Sequence, residues 1–288
     1  MRIAYTMNGL VGGFGKGKNV DNAVKDDYKY QSEIALRYTS KFFREYIVKN
    51  NDVDVFIFSW ETDKEDQFEK AFNPKKMKLI PQIDFECPAH LRHGNTTRVF
   101  AYKSRWYGFK EVMKLKSEYE KENNFKYDLV VNARFDLCYN KAYDFSELVK
   151  FTENEWWDDV NTKSTAQFHI PVFPDRLTYG WPDNLNEILD HIFASSSENM
   201  DKFSTLFDKM DEYTMPGQCP QWNTISNHFL MVWHLEKLGL LSPSNVKKSF
   251  RTYTPARVDN QEGKTDYDII RYRNLSEEDI LKELENEY

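Results

Sequence analysis

Three short apolar runs, Ile3-Ala4-Tyr5, Val55-Phe56-Ile57-Phe58 and Leu129-Val130-Val131, are separated by stretches whose apolar residues recur at helical spacing. That alternation constrains the fold more than any other feature. Apolar strands without in-and-out alternation are buried on both faces, and strands separated by helices assemble into a mostly parallel sheet. An α/β fold follows: a single Rossmann-like domain with a mostly parallel central sheet and a helical C-terminal extension. The spacing predicts strands over Arg2 to Met7, Asp54 to Ser59, Met77 to Ile80 and Tyr127 to Asn132. It predicts helices over Asp27 to Lys49 and over 98–122, the latter with Tyr102, Trp106, Phe109 and Met113 on one face. Downstream the pattern is less regular. Ala166 to Val172 reads as a strand. Asp183 to Phe193, Ser197 to Met210 and Asn223 to Leu238 read as helices, the last closed by Gly239. Ser276 and Asp279 form a capping box for a terminal helix over 277–287. Neither a repeat nor a linker divides the chain, so residues 1–257 are expected as one domain and 258–288 as an acidic extension.

Of 288 residues, 40% are hydrophobic and 30% charged, which excludes a disordered chain and supplies a sizeable core. No apolar run approaches the roughly 20 residues of a membrane span, and the N-terminus reads as a strand rather than a signal peptide. Cys87, Cys138 and Cys219 are odd in number and far apart, which argues against a disulfide framework and for a reducing compartment. The net charge of −7 is concentrated in residues 258–288, with ten acids against four bases, so the rest of the chain is close to neutral. Residues 98–121 and 247–257 are locally basic, and a phosphate-bearing ligand remains compatible with the overall charge.

Ligands of open parallel sheets bind beyond the carboxyl ends of the strands. The loops after Met7, Ser59 and Asn132 are therefore the expected site edge. The sharpest signal lies there: the strand Tyr127 to Asn132 runs into Ala133-Arg134-Phe135-Asp136-Leu137. Alternate residues of an extended segment face the same way, so Arg134 and Asp136 can enter one cleft. Asp136 suits a divalent metal or a sugar hydroxyl; Arg134 suits a phosphate or can lock Asp136 in place. A salt-bridged loop at a sheet edge is the bland alternative.

Taken in order, several segments resemble bacterial and viral glycosyltransferases of the GT-A type that build surface glycans, in the group with Arg-x-Asp in place of Asp-x-Asp. Arg2-Ile3-Ala4-Tyr5-Thr6-Met7-Asn8-Gly9 is similar to that group's first strand and glycine turn. Val53 to Trp60 is similar to its "VDVFIHTW" strand, and Tyr127 to Leu137 to its "YDLVIRTRPDL" strand. Asp190-His191-Ile192-Phe193-Ala194-Ser195-Ser196-Ser197-Glu198-Asn199-Met200 is similar to its "D-x-x-F-x-G-S-x-x-x-M" segment, with Ala194 where glycine is frequent. The likeness spans about residues 1–240.

The resemblance implies a GT-A-like fold, a nucleotide-sugar donor (a UDP-sugar first) and a hydroxyl acceptor. That acceptor is a glycan or a hydroxymethylated base of viral DNA. The cytoplasm is the implied compartment, the host's for a viral enzyme. Asn8, Gly9, Gly12, Gly13, Arg134 and Asp136 would approach the nucleotide and its diphosphate. Asp136 would take Mn2+ or Mg2+ if a metal is used. Two carboxylates usually share that metal. With Arg134 in the first position, the charge on the departing diphosphate falls either to a metal or to Arg134 itself. Asp183, Glu187 and Asp190 lie at i, i+4 and i+7 of an expected helix. Asp190, which opens the matched segment, is the expected base for the acceptor proton, with Arg134 as the second catalytic residue.

Two other functions compete. Gly12 to Gly17-Lys18 fits most of a phosphate-binding loop but carries Asn19 where Ser or Thr should hold magnesium, giving a phosphotransferase as one alternative. A non-catalytic glycan-binding module, using the 16% aromatic content as sugar platforms, is the other.

Overall fold

The computed structural model describes residues 1–11, 32–91, 96–148, 168–172, 190–219, 227–241, 246–251, 266–269 and 275–285. Gly12, Gly13, Gly17, Lys18 and Asn19 lie outside them, as do His93, Trp156, Trp157, Trp181, Asp183 and Glu187.

The chain begins β1 (Ile3–Gly9), α1 (Ser32–Tyr46), β2 (Val53–Ser59), α2 (Glu65–Phe72), β3 (Lys76–Leu79), α3 (Thr96–Glu122) and β4 (Leu129–Ala133). There follow β5 (Leu137–Tyr139), β6 (Phe168–Val172), β7 (Ile192–Ser195), α4 (Ser197–Phe203), α5 (Leu206–Tyr213), α6 (Asn227–Lys237), β8 (Val246–Arg251), β9 (Tyr267–Ile269) and α7 (Glu277–Glu285). Seven strands form one sheet in the order β3-β2-β1-β4-β7-β6-β8. The pairs β3/β2, β2/β1, β1/β4 and β6/β8 are parallel, and β7 is antiparallel to both its neighbours. The α/β fold with a mostly parallel central sheet is thus present, one strand reversed. Among the described residues, no helix is long and apolar enough to cross a membrane.

Strand alternation sorts the core into two layers. Ile3, Tyr5, Met7, Val55, Ile57, Leu129 and Val131 face α1 and α7. Ala4, Phe56, Phe58 and Val130 face α3, with Phe193, Phe203 and Leu235 in the same layer. By the same alternation Thr6 and Asn8 on β1, and Asn132 on β4, also point to the α3 side. Trp106 is the largest fully buried side chain of that layer; it lies 5.9 Å from Phe109 and 5.6 Å from Phe203, ring centre to ring centre, and its indole N–H donates to Asn227 Oδ1 at 2.8 Å. Trp106→Ala should therefore cost about 3–5 kcal/mol, the usual large-to-small core loss. Urea unfolding checks this; a variant within about 1 kcal/mol of the parent would mean that the cavity collapses.

The C-terminal segments pack on the first layer. β9 pairs antiparallel with β5. α7 buries Ile280 and Leu284, and its Glu283 accepts from the Tyr38 hydroxyl at 2.9 Å and from Lys41 Nζ at 3.1 Å. The capping box is formed: Asp279 N–H donates to Ser276 Oγ at 3.1 Å, and Ser276 N–H to Asp279 Oδ2 at 2.9 Å.

Two expectations are corrected. The helix expected over Asp183 to Phe193 is contradicted at its described end: Asp190 and His191 are irregular, and Ile192-Phe193-Ala194-Ser195 is strand β7, wholly buried between β4 and β6. Burial on both sheet faces outweighs the charge spacing that suggested a helix. The helix over Ser197 to Met210 is two helices. Ser204 Oγ and Thr205 Oγ1 donate back to the carbonyls of Asp201 and Lys202, each at 2.7 Å, at the break.

Candidate active site at the β1/β4 edge

β1 has β2 on one side and β4 on the other, so the crossovers leave it in opposite directions. A crevice opens at such a switch point, outside the carboxyl ends of the two strands. β1 ends there at Asn8-Gly9 and β4 at Ala133, followed by Arg134. Gly9 takes φ +116°, a conformation open to glycine, and its carbonyl accepts from Ser59 Oγ at 2.8 Å. Beyond it, Val11 N–H donates to Glu61 at 2.9 Å, and burial pushes the Glu61 carboxyl above its ordinary range.

The organising group is Arg105 of α3, which sequence reasoning missed. Its guanidinium is buried beneath the crevice. Nη1 donates to Asn8 Oδ1 at 2.5 Å; Nη2 donates to Asn132 Oδ1 and to the Asp190 carbonyl, both at 2.9 Å. Nε lies 3.5 Å from the Asp190 carboxylate. The Arg105 carbonyl in turn accepts from Asn8 Nδ2 at 3.0 Å, and Asn132 Nδ2 donates to Asn8 Oδ1 at 3.1 Å. Gly108 permits this closeness: a Cβ there would meet Asn8 Nδ2 at 2.9 Å and the Phe58 ring at 3.1 Å. Burial pushes the Arg105 guanidinium down to about 10, opposed by Asp190, so it stays charged at neutral pH.

Asp190 is 5% exposed. Besides Arg105 it receives Asn227 Nδ2 at 3.2 Å and lies 3.3 Å from His228 Nε2. Burial disfavours its charge, but His228, Arg134 and Arg105 outweigh burial and hold its carboxyl well below the usual carboxylate range. α6 thus turns His228 to Asp190, while His234 lies in the core against Tyr213 at 2.8 Å and Thr205 at 3.1 Å.

Arg134 and Asp136 form a fork: Nε to Oδ1 at 2.8 Å and Nη2 to Oδ2 at 2.6 Å. Between them Phe135 turns the other way and packs 5.2 Å from Phe68. Arg134 N–H also donates to the His191 carbonyl at 3.0 Å, which ties the fork to the residue after Asp190. His191 is driven down to about 3 by burial and by Arg134, so it is neutral. Of the expected site residues, the structure gathers Asn8, Gly9, Arg134, Asp136 and Asp190 at one edge. It adds Arg105, Asn132, Asn227, His191 and His228. His90, by contrast, bonds the Thr214 carbonyl at 2.9 Å.

Burial also drives His234 down to about 4. The unfolded chain binds this proton near pH 6.5 and the folded chain does not, so stability falls as pH drops from about 6.5 to 4, by up to about 1.4 kcal/mol per pH unit. Urea melts across that window should show His234→Gln with a correspondingly shallower fall; an unchanged slope would place the linkage elsewhere.

No protein-family description and no curated protein matches this sequence. Among solved structures the chain is similar to a candidate nucleotide-diphospho-sugar transferase from Desulfovibrio desulfuricans G20, at 12% identity and a TM-score of 0.42, over 99% of this chain and 96% of that one.

Proposed function

We propose that this protein is a glycosyltransferase moving a sugar from a nucleoside-diphosphate sugar to a hydroxyl acceptor. One observation carries the reading: the Arg134–Asp136 fork stands at the carboxyl end of β4, at the switch point of the sheet, joined through His191 to the buried Arg105–Asp190–His228 network. A fixed guanidinium at this position suits the charge that develops on a departing diphosphate. In a direct displacement the acceptor oxygen bonds to the anomeric carbon, the bond from that carbon to the diphosphate breaks, and the acceptor proton passes to the Asp190–His228 pair. Arg105 holds Asp190 ionised for this role.

A Mn2+ or Mg2+ at Asp136 would compete with Arg134, whose guanidinium both carboxylate oxygens accept from, at 2.8 and 2.6 Å; among the described residues no group of three or more His, Cys, Asp or Glu could hold a metal ion. Stabilisation of the leaving group is assigned to Arg134. A UDP-sugar is the first donor to test, with a surface glycan or a hydroxymethylated DNA base as acceptor.

The test is slow donor hydrolysis. Purified protein should release UDP or GDP from one nucleotide sugar, and Asp136→Asn should stop the release. Release from none would support a non-catalytic glycan-binding module, and turnover of ATP alone a phosphotransferase.

A further inference from the structure

The C-terminal segment reaches the candidate site. β9 runs along β5, the strand that follows Asp136, in the register Leu137–Ile269, Cys138–Asp268 and Tyr139–Tyr267. Asn140 fastens the end of this pair: its N–H donates to the Asp266 carbonyl at 2.9 Å, and its Nδ2 donates to Asp268 Oδ2 at 3.0 Å. Lys141 Nζ lies 2.7 Å from Asp266 Oδ1. Tyr267, the first residue of β9, is fully buried.

Tyr267 meets His191 there. Its hydroxyl lies 3.2 Å from His191 Nδ1, with the two rings nearly perpendicular and their centres 6.1 Å apart. The His191 backbone is tied separately, its carbonyl accepting from Arg134 N–H at 3.0 Å. The imidazole is thus fixed at ring and backbone beside the fork. Its centre is 6.4 Å from that of His228, and of the charges around it Arg134 acts most strongly, before Asp190, His228 and Asp136. His191 is half-buried. Its Nε2 makes no hydrogen bond with the described residues and remains open to solvent.

We infer that His191 is a further catalytic residue and that Tyr267 is its positioning residue. The Tyr267 hydroxyl donates to Nδ1, which leaves the proton of the neutral ring on Nε2. Nε2–H donates to the diphosphate oxygen on which charge grows as the bond to the anomeric carbon breaks, beside Arg134. The proton stays on Nε2 throughout. A neutral imidazole suits this place, because it supplies a donor without adding a second cation against Arg134. The inference rests on the transferase reading.

Donor hydrolysis by the full chain, with a panel of UDP- and GDP-sugars, tests it. His191→Ala should lower kcat by about 10²–10³, the worth of one fixed donor facing developing charge. His191→Gln, whose amide can donate from nearly the same place, should keep part of the rate. Tyr267→Phe retains the ring and should lower kcat about tenfold with KM unchanged. In the His191→Ala background it should lower kcat no further, because Tyr267 acts through that ring alone. Equal losses in both backgrounds would make Tyr267 merely structural and overturn the pairing. NMR spectra of the imidazole nitrogens in the unliganded protein should show His191 as the neutral Nε2–H tautomer; a proton on Nδ1 would overturn the donor role. A parent that hydrolyses a donor with kcat untouched by His191→Ala would overturn this inference alone. A parent that hydrolyses none would overturn the transferase reading and the inference with it.

Discussion

Arg105→Met is expected to destabilise the protein by about 3–5 kcal/mol, because it strands the partner of a buried ion pair. Asp190 would keep Asn227 and His228 but lose the cation beneath it, and Asn8 and Asn132 would lose their shared donor. The cost should grow as pH rises above the normal carboxylate range, where Asp190 would have to be buried charged without Arg105. Arg105→Lys should recover only part of the loss, since an ammonium cannot reproduce the fork that spans Asn8, Asn132 and the Asp190 carbonyl. Denaturant unfolding at pH 5 and pH 8 reads this directly. A loss below about 1 kcal/mol at both would show that the network is not under the strain of burial assumed here.

The second large effect is on chemistry. Arg134→Ala should lower the rate constant of transfer, or of donor hydrolysis, by about 10²–10³, the worth of one fixed donor facing developing charge. Asp136→Asn should do comparable damage, since the guanidinium loses the carboxylate that fixes its plane at 2.6 and 2.8 Å. The fork is mostly buried, with side-chain exposures of 23% and 13%, so each change should cost about 1–3 kcal/mol, the worth of leaving a buried partner unsatisfied, while both variants should still fold. Steady-state kinetics should show the loss mainly in kcat. Unaltered kcat in both variants would remove the fork from the mechanism.

The parts of the fold that were legible are those where one signal dominates. β1, β2 and β4 carry apolar residues buried on both sheet faces, and α3 carries aromatic residues at an unbroken helical period. β7 was misread because its four residues are too few to outvote the charges before them. β5, β8 and β9 pair only with strands distant in sequence, which local spacing cannot reveal.

The site was legible in half. Arg134 and Asp136 follow directly on a strand whose end is the expected crevice, and a turn at Phe135–Asp136 brings the two side chains together. Arg105 was hidden because a basic residue on a long helix reads as solvated. Yet it lies at i−1 to Trp106, i+3 from Tyr102 and i−4 to Phe109, on the edge of the apolar face. A cation in that place, with Asn132 in an otherwise apolar strand, is the signal that was available. Lys116 repeats it, three residues after Met113 and fully buried against Glu120 at 3.2 Å and Asp201 at 2.7 Å. The approach of Asp190 to His228 is set by a loop and a helix far apart in sequence, and no local pattern encodes it.

The central claim is that the crevice at the ends of β1 and β4 takes a nucleoside diphosphate through Arg134. The most direct measurement is a thermal-shift panel of UDP, GDP, CMP and ATP, each with and without manganese, on the parent and on Arg134→Ala. A ligand at 100 times its dissociation constant stabilises a fold by about 2.7 kcal/mol, a readily visible rise in Tm. The account predicts a rise with UDP or GDP, without a need for manganese, that shrinks in Arg134→Ala. A rise with ATP alone, or a nucleotide shift that Arg134→Ala leaves intact, would contradict it.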